Sequence, residues 1–238
     1  MSEGLLRAEQ LAWRYGAGGT GVRDVSLTLQ RGGITGFLGR NGAGKSTTMR
    51  LLAGVLVPQR GRVTLDGEPV TSARARSRIG WAPEEPPTAA GLSVREHLAF
   101  ARSLAPGAGR GVDDVIAALD LGDVVDRLAG ALSKGTRQRL GVAMALLGAP
   151  DVLLLDEPAA GLDPAQVLAL RELLRAEKGR GAAILLSSHV VAELGALVDD
   201  VVAIREGVTV FAGPAGQLDE ATAAALSLPL SASPGAGP

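Results

Sequence analysis

The eight residues Gly39-Arg40-Asn41-Gly42-Ala43-Gly44-Lys45-Ser46 constrain the fold of this chain more than any other feature. They fit G-x-x-x-x-G-K-[ST], and they stand in the context that gives the pattern a mechanism. A compact apolar run, Ile34 to Leu38, precedes them; a helical stretch, Lys45 to Ala53, follows and stops at Gly54. Glycines let backbone N–H groups close around phosphate oxygens, and the helix N-terminus adds the positive end of its dipole. Lys45 then reaches the β- and γ-phosphates, and the Ser46 hydroxyl ligates Mg²⁺. The candidate ATP-binding positions here are Gly39, Asn41, Gly42, Ala43, Gly44, Lys45, Ser46 and Thr47. The chain has 33 glycines, so an ordinary glycine-rich turn could match by accident. The flanking strand and helix therefore carry as much weight as the pattern.

A second motif meets that loop. Val152-Leu153-Leu154-Leu155 is a continuous apolar run, suited to a parallel strand buried on both faces, and it ends in Asp156-Glu157. In parallel sheets ligands sit beyond the carboxyl ends of the strands. Asp156 is thus a candidate for holding Mg²⁺, directly or through water, and Glu157 for polarising the attacking water as general base. One acid capping a buried strand is commonplace. Two acids together with the phosphate loop indicate a P-loop NTPase core.

The remaining periodicity fits an α/β protein around a mostly parallel sheet. Val25, Leu27 and Leu29 alternate with Ser26 and Thr28, and Val63 and Leu65 alternate before the turn pair Asp66-Gly67, as in an N-terminal antiparallel β subdomain. From about residue 85 to 148 the period is helical. Ser93 with Glu96 forms a capping box, Val112, Val115, Ile116 and Leu119 recur at helical spacing, and Ser133 opens a helix that ends near Gly148. This stretch reads as a helical insertion subdomain. Strands then return at Ala183 to Leu186, and as a hairpin from Val201 to Phe211. Asp163-Pro164 fits an N-cap with proline at the first helical position. The domain is expected over residues 1–220, with a flexible tail over 221–238. His97 lacks a chemical context and is expected on a helix surface.

Composition narrows the function. Without cysteine the chain has no disulfide, thiolate metal site or thiol chemistry, and two histidines do not make a histidine-rich cluster. A net charge of −1 leaves no general electrostatic footprint for nucleic acid. Mean hydropathy is +0.22, yet no stretch approaches the roughly 20 apolar residues of a spanning helix. Glu3, Arg7 and Glu9 occupy the place of a signal peptide's apolar core. The expected location is cytoplasmic, peripheral at the inner face of the cell membrane, with any membrane link made through other chains.

At Leu132-Ser133-Lys134-Gly135-Thr136-Arg137-Gln138-Arg139 the chain closely resembles the ATP-binding cassette (ABC) family, a likeness running from about Leu5 to Glu220. This segment resembles the family signature, usually written LSGGQ. Ser133 and Gly135 at a helix N-terminus make a second anion site, which the family uses for the γ-phosphate of ATP on the opposite subunit. Ser133 is also a simple N-cap, and both uses draw on the same N–H groups. Tyr15 resembles the aromatic that stacks on adenine. Pro158 to Asp163 looks like the loop that crosses the dimer interface, and His189 like the switch histidine at the γ-phosphate. Lys134 and Thr136 replace the commoner glycine and glutamine, and Glu84 stands where a glutamine is usual, still able to bind Mg²⁺ through an oxygen. These variants are similar to those of prokaryotic exporter ATPases.

The resemblance implies an ATP-hydrolysing subunit with catalytic residues Glu157, His189 and Lys45, cofactors ATP and Mg²⁺, a homodimeric arrangement and integral membrane transporter subunits as partners. A second reading is an ABC ATPase working on nucleic acid or ribosomes. Only about 90 residues separate Lys45 from Ser133, with no sustained heptads, and there is one cassette. A third, a non-hydrolysing regulator, is opposed by the presence of both Glu157 and His189.

Overall fold

The structure is a computed structural model that describes residues 4–16, 19–105, 107, 109–188, 197–218 and 223–224. β1 (Leu6–Arg14) lies antiparallel between β2 (Gly21–Leu29) and β4 (Arg60–Leu65). β4 folds back on β5 (Glu68–Pro69) through Asp66 and Gly67, whose φ values of 47° and 77° suit a two-residue hairpin loop. Along β2 the alternation read from sequence is observed, with Val25, Leu27 and Leu29 buried and Ser26 and Thr28 exposed.

The parallel part runs β9–β3–β8–β7–β6, where β3 is Ile34–Leu38, β6 Ile79–Ala82, β7 Val152–Leu155, β8 Ala183–Ser188 and β9 Asp200–Arg205. β10 (Val208–Pro214) returns antiparallel on β9 and meets β2 at one parallel pair, Val208 with Asp24. That pair joins both parts into one sheet of ten strands among the described residues.

Successive side chains on a strand face opposite sides. Leu153, Leu155, Ile184 and Leu186 enter a core with α3 (Val94–Leu104), α4 (Val112–Ala118), α5 (Lys134–Leu146) and α6 (Pro164–Gly179). Val152, Leu154, Ala183 and Leu185 enter a second core with α1 (Lys45–Leu52), α2 (Ala73–Arg76) and the antiparallel strands. A sheet covered on both faces explains the unbroken apolar runs of β7 and β8. Each fully buried Leu or Ile contributes roughly 1.5–3 kcal/mol. Ala223 is also buried in the first core. Apart from Ala224, the rest of the 221–238 tail lies outside the described residues. No described helix is long and apolar enough to cross a membrane.

The helix starts follow the side-chain chemistry. Ser93 Oγ accepts from the Glu96 N–H, while Glu96 accepts from the Ser93 N–H at 2.8 Å. That backbone hydrogen bond, aided by the Ser93 hydroxyl, holds the Glu96 carboxyl below its ordinary value. Asp163 accepts from the Gln166 N–H at 2.9 Å, with Pro164 at the first helical position. Between α6 and β9, Asp199 accepts from the Ile34 N–H and the Lys178 ammonium. Burial alone would raise its carboxyl, but those two donors outweigh it and hold it low.

His97 corrects an expectation. It is not on the helix surface; it is only 5% exposed. The loop before α3 folds over the ring. Nε2 accepts from the Ala89 N–H at 2.9 Å, and Nδ1 lies 2.8 Å from the Ser93 carbonyl oxygen. A buried imidazole is tolerated because both nitrogens are satisfied.

Candidate functional site

β3 lies between β9 and β8, and its carboxyl end delivers the phosphate loop to the mouth of the parallel sheet. Gly44 has φ 106°, a region that costs a side-chain-bearing residue strain, and there a Cβ would also come within 2.9 Å of Val22 Cγ1. A Cβ on Gly39 would lie 2.7 Å from the Ile204 carbonyl oxygen. The loop is tied from behind by Gly207 N–H donating to Ala43 O at 2.9 Å. Gly44 caps α1 without a side-chain hydrogen bond, and no acid lies in the first turn. The leading N–H groups of α1 thus suit an anion. Lys45, almost fully buried, donates from Nζ to Gly39 O at 2.6 Å and lies 3.5 Å from Glu157 Oε1.

The acid pair is fixed from three sides. β6 reaches it through Asp156 N–H donating to Ala82 O at 2.9 Å, and α5 through Gln138 Nε2 donating to Asp156 O at 3.3 Å. From β8, the Ser187 hydroxyl donates to Asp156 Oδ1 at 2.6 Å and accepts from the Glu157 N–H at 2.9 Å. Glu157 itself has φ 48°. Left-handed backbone at a residue with a side chain costs about 1–3 kcal/mol and is held by surrounding contacts. Here it turns the chain sharply after the strand and leaves the Glu157 carboxylate facing Lys45.

A cleft of about 380 Å³ gathers Asn41, Gly42, Gly44, Lys45, Ser46, Thr47, Glu84, Asp156 and Glu157. Gly39 and Ala43 shape the loop without lining the cleft. Thr20, Gly21, Arg40 and Ala160 also line it and were not picked out from sequence, and so does Lys134, singled out there only as a departure from the family signature. Ser187 was likewise missed as a site residue. The signal for it is register: β7 and β8 pair Leu155 with Leu186, so the next residues, Asp156 and Ser187, come side by side.

Other expected residues lie apart from the cleft. Tyr15 is 42% exposed, with its ring edge-on to Trp13 at 4.1 Å and its hydroxyl accepting from Arg50 at 2.6 Å. It is one backbone hydrogen bond from the rim, through Tyr15 N–H to Thr20 O at 3.1 Å. Ser133 Oγ accepts from the Thr136 N–H at 3.2 Å, capping α5. Gly135 packs under the loop after the acids, where a Cβ would sit 2.4 Å from Gly161 O. His189 lies outside the described residues.

Among the described residues no three His, Cys, Asp or Glu side chains gather into a set that could hold a metal alone. Ser46, Asp156 and Glu84 nevertheless share the cleft. An oxygen set with few carboxylates fits Mg²⁺, which takes most of its ligands from phosphate and water.

Fold and cleft together define a P-loop nucleotide-binding protein. The sequence model described as ABC transporter matches residues 22–160. The bacitracin transport ATP-binding protein BcrA of Bacillus licheniformis is 37% identical over 207 residues, covering 85% of this chain and 67% of that protein. The Nod factor export ATP-binding protein I of Burkholderia lata is 40% identical over 192 residues, covering 78% and 63%. A solved structure titled as the ATP binding subunit of an ABC transporter superposes with a TM-score of 0.81 at 30% identity, covering 90% and 91%. The chain belongs to the ABC transporter family and is an ATP-binding subunit that hydrolyses ATP to power transport.

Proposed function

We propose that this subunit works with integral membrane subunits on other chains as an exporter, at the inner face of the cell membrane, and that two copies sandwich two ATP molecules. The observation that carries the reading is the meeting of Lys45 and Glu157 across one cleft, 3.5 Å apart, at the end of a phosphate loop. Export is favoured by Glu84, Lys134 and Thr136, variants similar to those of exporter ATPases, and by the Nod factor export relative.

In this mechanism the N–H groups of Gly42, Gly44, Lys45 and Ser46 bind phosphate oxygens and Lys45 neutralises charge on the β- and γ-phosphates. Asn41, Ala43 and Thr47 complete the loop, and Tyr15 stacks on adenine. Ser46, Asp156 and Glu84 would hold Mg²⁺, which when bound screens phosphate charge and orients the transferred group. Glu157 accepts a proton from the attacking water, and His189 contacts the γ-phosphate. Ser133 and Gly135 serve ATP on the opposite subunit.

The membrane partner docks on Pro83 to Leu92. This stretch borders an apolar groove lined by Trp81, Pro86, Pro87, Leu104 and Met144, beside the exposed Phe100. Pro86 packs directly over α5, since a Cβ on Gly141 would lie 2.4 Å from Pro86 Cγ.

Lys45→Ala tests the site. Losing a cation that faces two phosphates should weaken ATP binding at least tenfold, since charge-assisted bonds are worth roughly 1.5–3 kcal/mol. Direct nucleotide titration checks this, and unchanged affinity would overturn the assignment.

A further inference from the structure

We propose that His97 is a positioning residue that, as the Nδ1–H tautomer, clamps the loop from Pro83 to Leu92 and so sets where Glu84 stands in the ATP cleft. The proposal rests on the reading of that cleft as the ATP site.

The tautomer follows from the partners. A backbone N–H can only donate, so the 2.9 Å contact from the Ala89 N–H makes Nε2 the acceptor. The ring proton then lies on Nδ1, and it points at the Ser93 carbonyl oxygen 2.8 Å away. That oxygen also accepts the His97 N–H at 3.0 Å as the first turn of α3 closes. The imidazole bends back over its own helix start and reaches the loop with its far nitrogen. The ring is 5% exposed on the same helix as Val94 and Leu98, both fully buried.

What the clamp holds is a path between two functional regions. At one end Glu84 lines the ATP cleft. At the other, Gly130 N–H donates to Ala90 O at 3.2 Å and Ala129 N–H to Leu92 O at 2.8 Å, just before Leu132 and the capping Ser133 of α5. The intervening residues 84–89 contain Pro86 and Pro87, which donate no backbone hydrogen bonds. Beside the Ala89–His97 bond, Pro86 packs against Gly141 of α5 and the Leu92 N–H donates to Ala89 O at 3.1 Å. His97 therefore fixes the far end of the loop whose near end carries Glu84.

The experiment compares the wild-type chain with His97→Gln and His97→Leu. Gln places an acceptor near the Nε2 position; Leu fills the space without one. With two histidines in the chain, ¹⁵N-correlated NMR of the ring separates His97 readily. The expected signature is a protonated Nδ1 and a bare Nε2. Hydrogen exchange over residues 86–93 should accelerate in His97→Leu and stay slow in His97→Gln. His97→Leu should bind one ATP per chain at unchanged affinity, with turnover lowered by roughly two- to tenfold, the factor for one lost hydrogen bond. His97→Gln should restore turnover. An Nε2–H ring, or a folded His97→Leu with wild-type exchange and turnover, would overturn the proposal. Should His97→Leu fail to fold, the ring tautomer and the His97→Gln comparison still decide it. Failure of the site reading is seen separately, as ATP binding retained by Lys45→Ala.

Discussion

At the residue scale, three of the charged groups lining the cleft are each held by a named partner. Lys45 is anchored by a 2.6 Å bond to Gly39 O, Asp156 by the Ser187 hydroxyl, and Glu157 by a left-handed backbone that the Ser187 oxygen supports. Ser187 thus sets both acids without being acidic. Tyr15 differs from these, because its ring is exposed and already meets Trp13 edge-on. In the proposed mechanism its contribution is one of stacking. Tyr15→Ala should weaken ATP binding by roughly 1–3 kcal/mol. GTP binding should weaken equally, because stacking uses a π-face that every base has. Isothermal titration with both nucleotides checks this, and unchanged affinity for both would place adenine elsewhere.

At the element scale, the site depends on how closely α5 approaches the sheet. Gly80 on β6 lies against α5, where a Cβ would come 2.2 Å from the Ala145 carbonyl oxygen. That contact is backbone, so it cannot turn aside. Gly80→Ala should cost about 1–3 kcal/mol, as overpacking does. Because β6 carries Ala82, which holds the Asp156 N–H, turnover should fall with it. Gly179, at the end of α6, has nothing near its would-be Cβ. Gly179→Ala should stabilise by up to about 1 kcal/mol through helix propensity. Denaturant midpoints for the two variants give the comparison; a neutral Gly80→Ala would contradict the tight β6–α5 packing. The helix starts at Ser93, Ser133 and Asp163 were legible in the sequence, since capping is local chemistry. The close approach at Gly80 was not, since it depends on a partner 65 residues away.

At the scale of the whole molecule, the parallel core and the antiparallel N-terminal strands were readable from apolar runs, alternation and turn pairs. Strand order was not, because β9–β3–β8–β7–β6 is set by crossovers between residues far apart in the chain. The same limit explains the candidate site. Phosphate loop and acid pair each announce themselves within a few residues. Ser187 enters only through the register of β7 against β8, and the burial of His97 only through the loop that folds over it. Ser133 and Gly135 do not line the cleft, while Lys134 between them does.

The central claim is that Glu157 drives hydrolysis within an ATP sandwich of two subunits. Glu157→Gln removes the proton acceptor, which positioned acid–base groups typically make worth about 10²- to 10⁴-fold in rate. It also removes a negative charge near the γ-phosphate, favouring bound ATP. The measurement is size-exclusion chromatography of Glu157→Gln with and without Mg-ATP, with turnover measured on the same sample. The account predicts negligible turnover and an ATP-dependent shift to the dimer. Normal turnover would contradict the general-base role, and a protein that binds ATP without turnover yet stays monomeric would contradict the sandwich of isolated subunits.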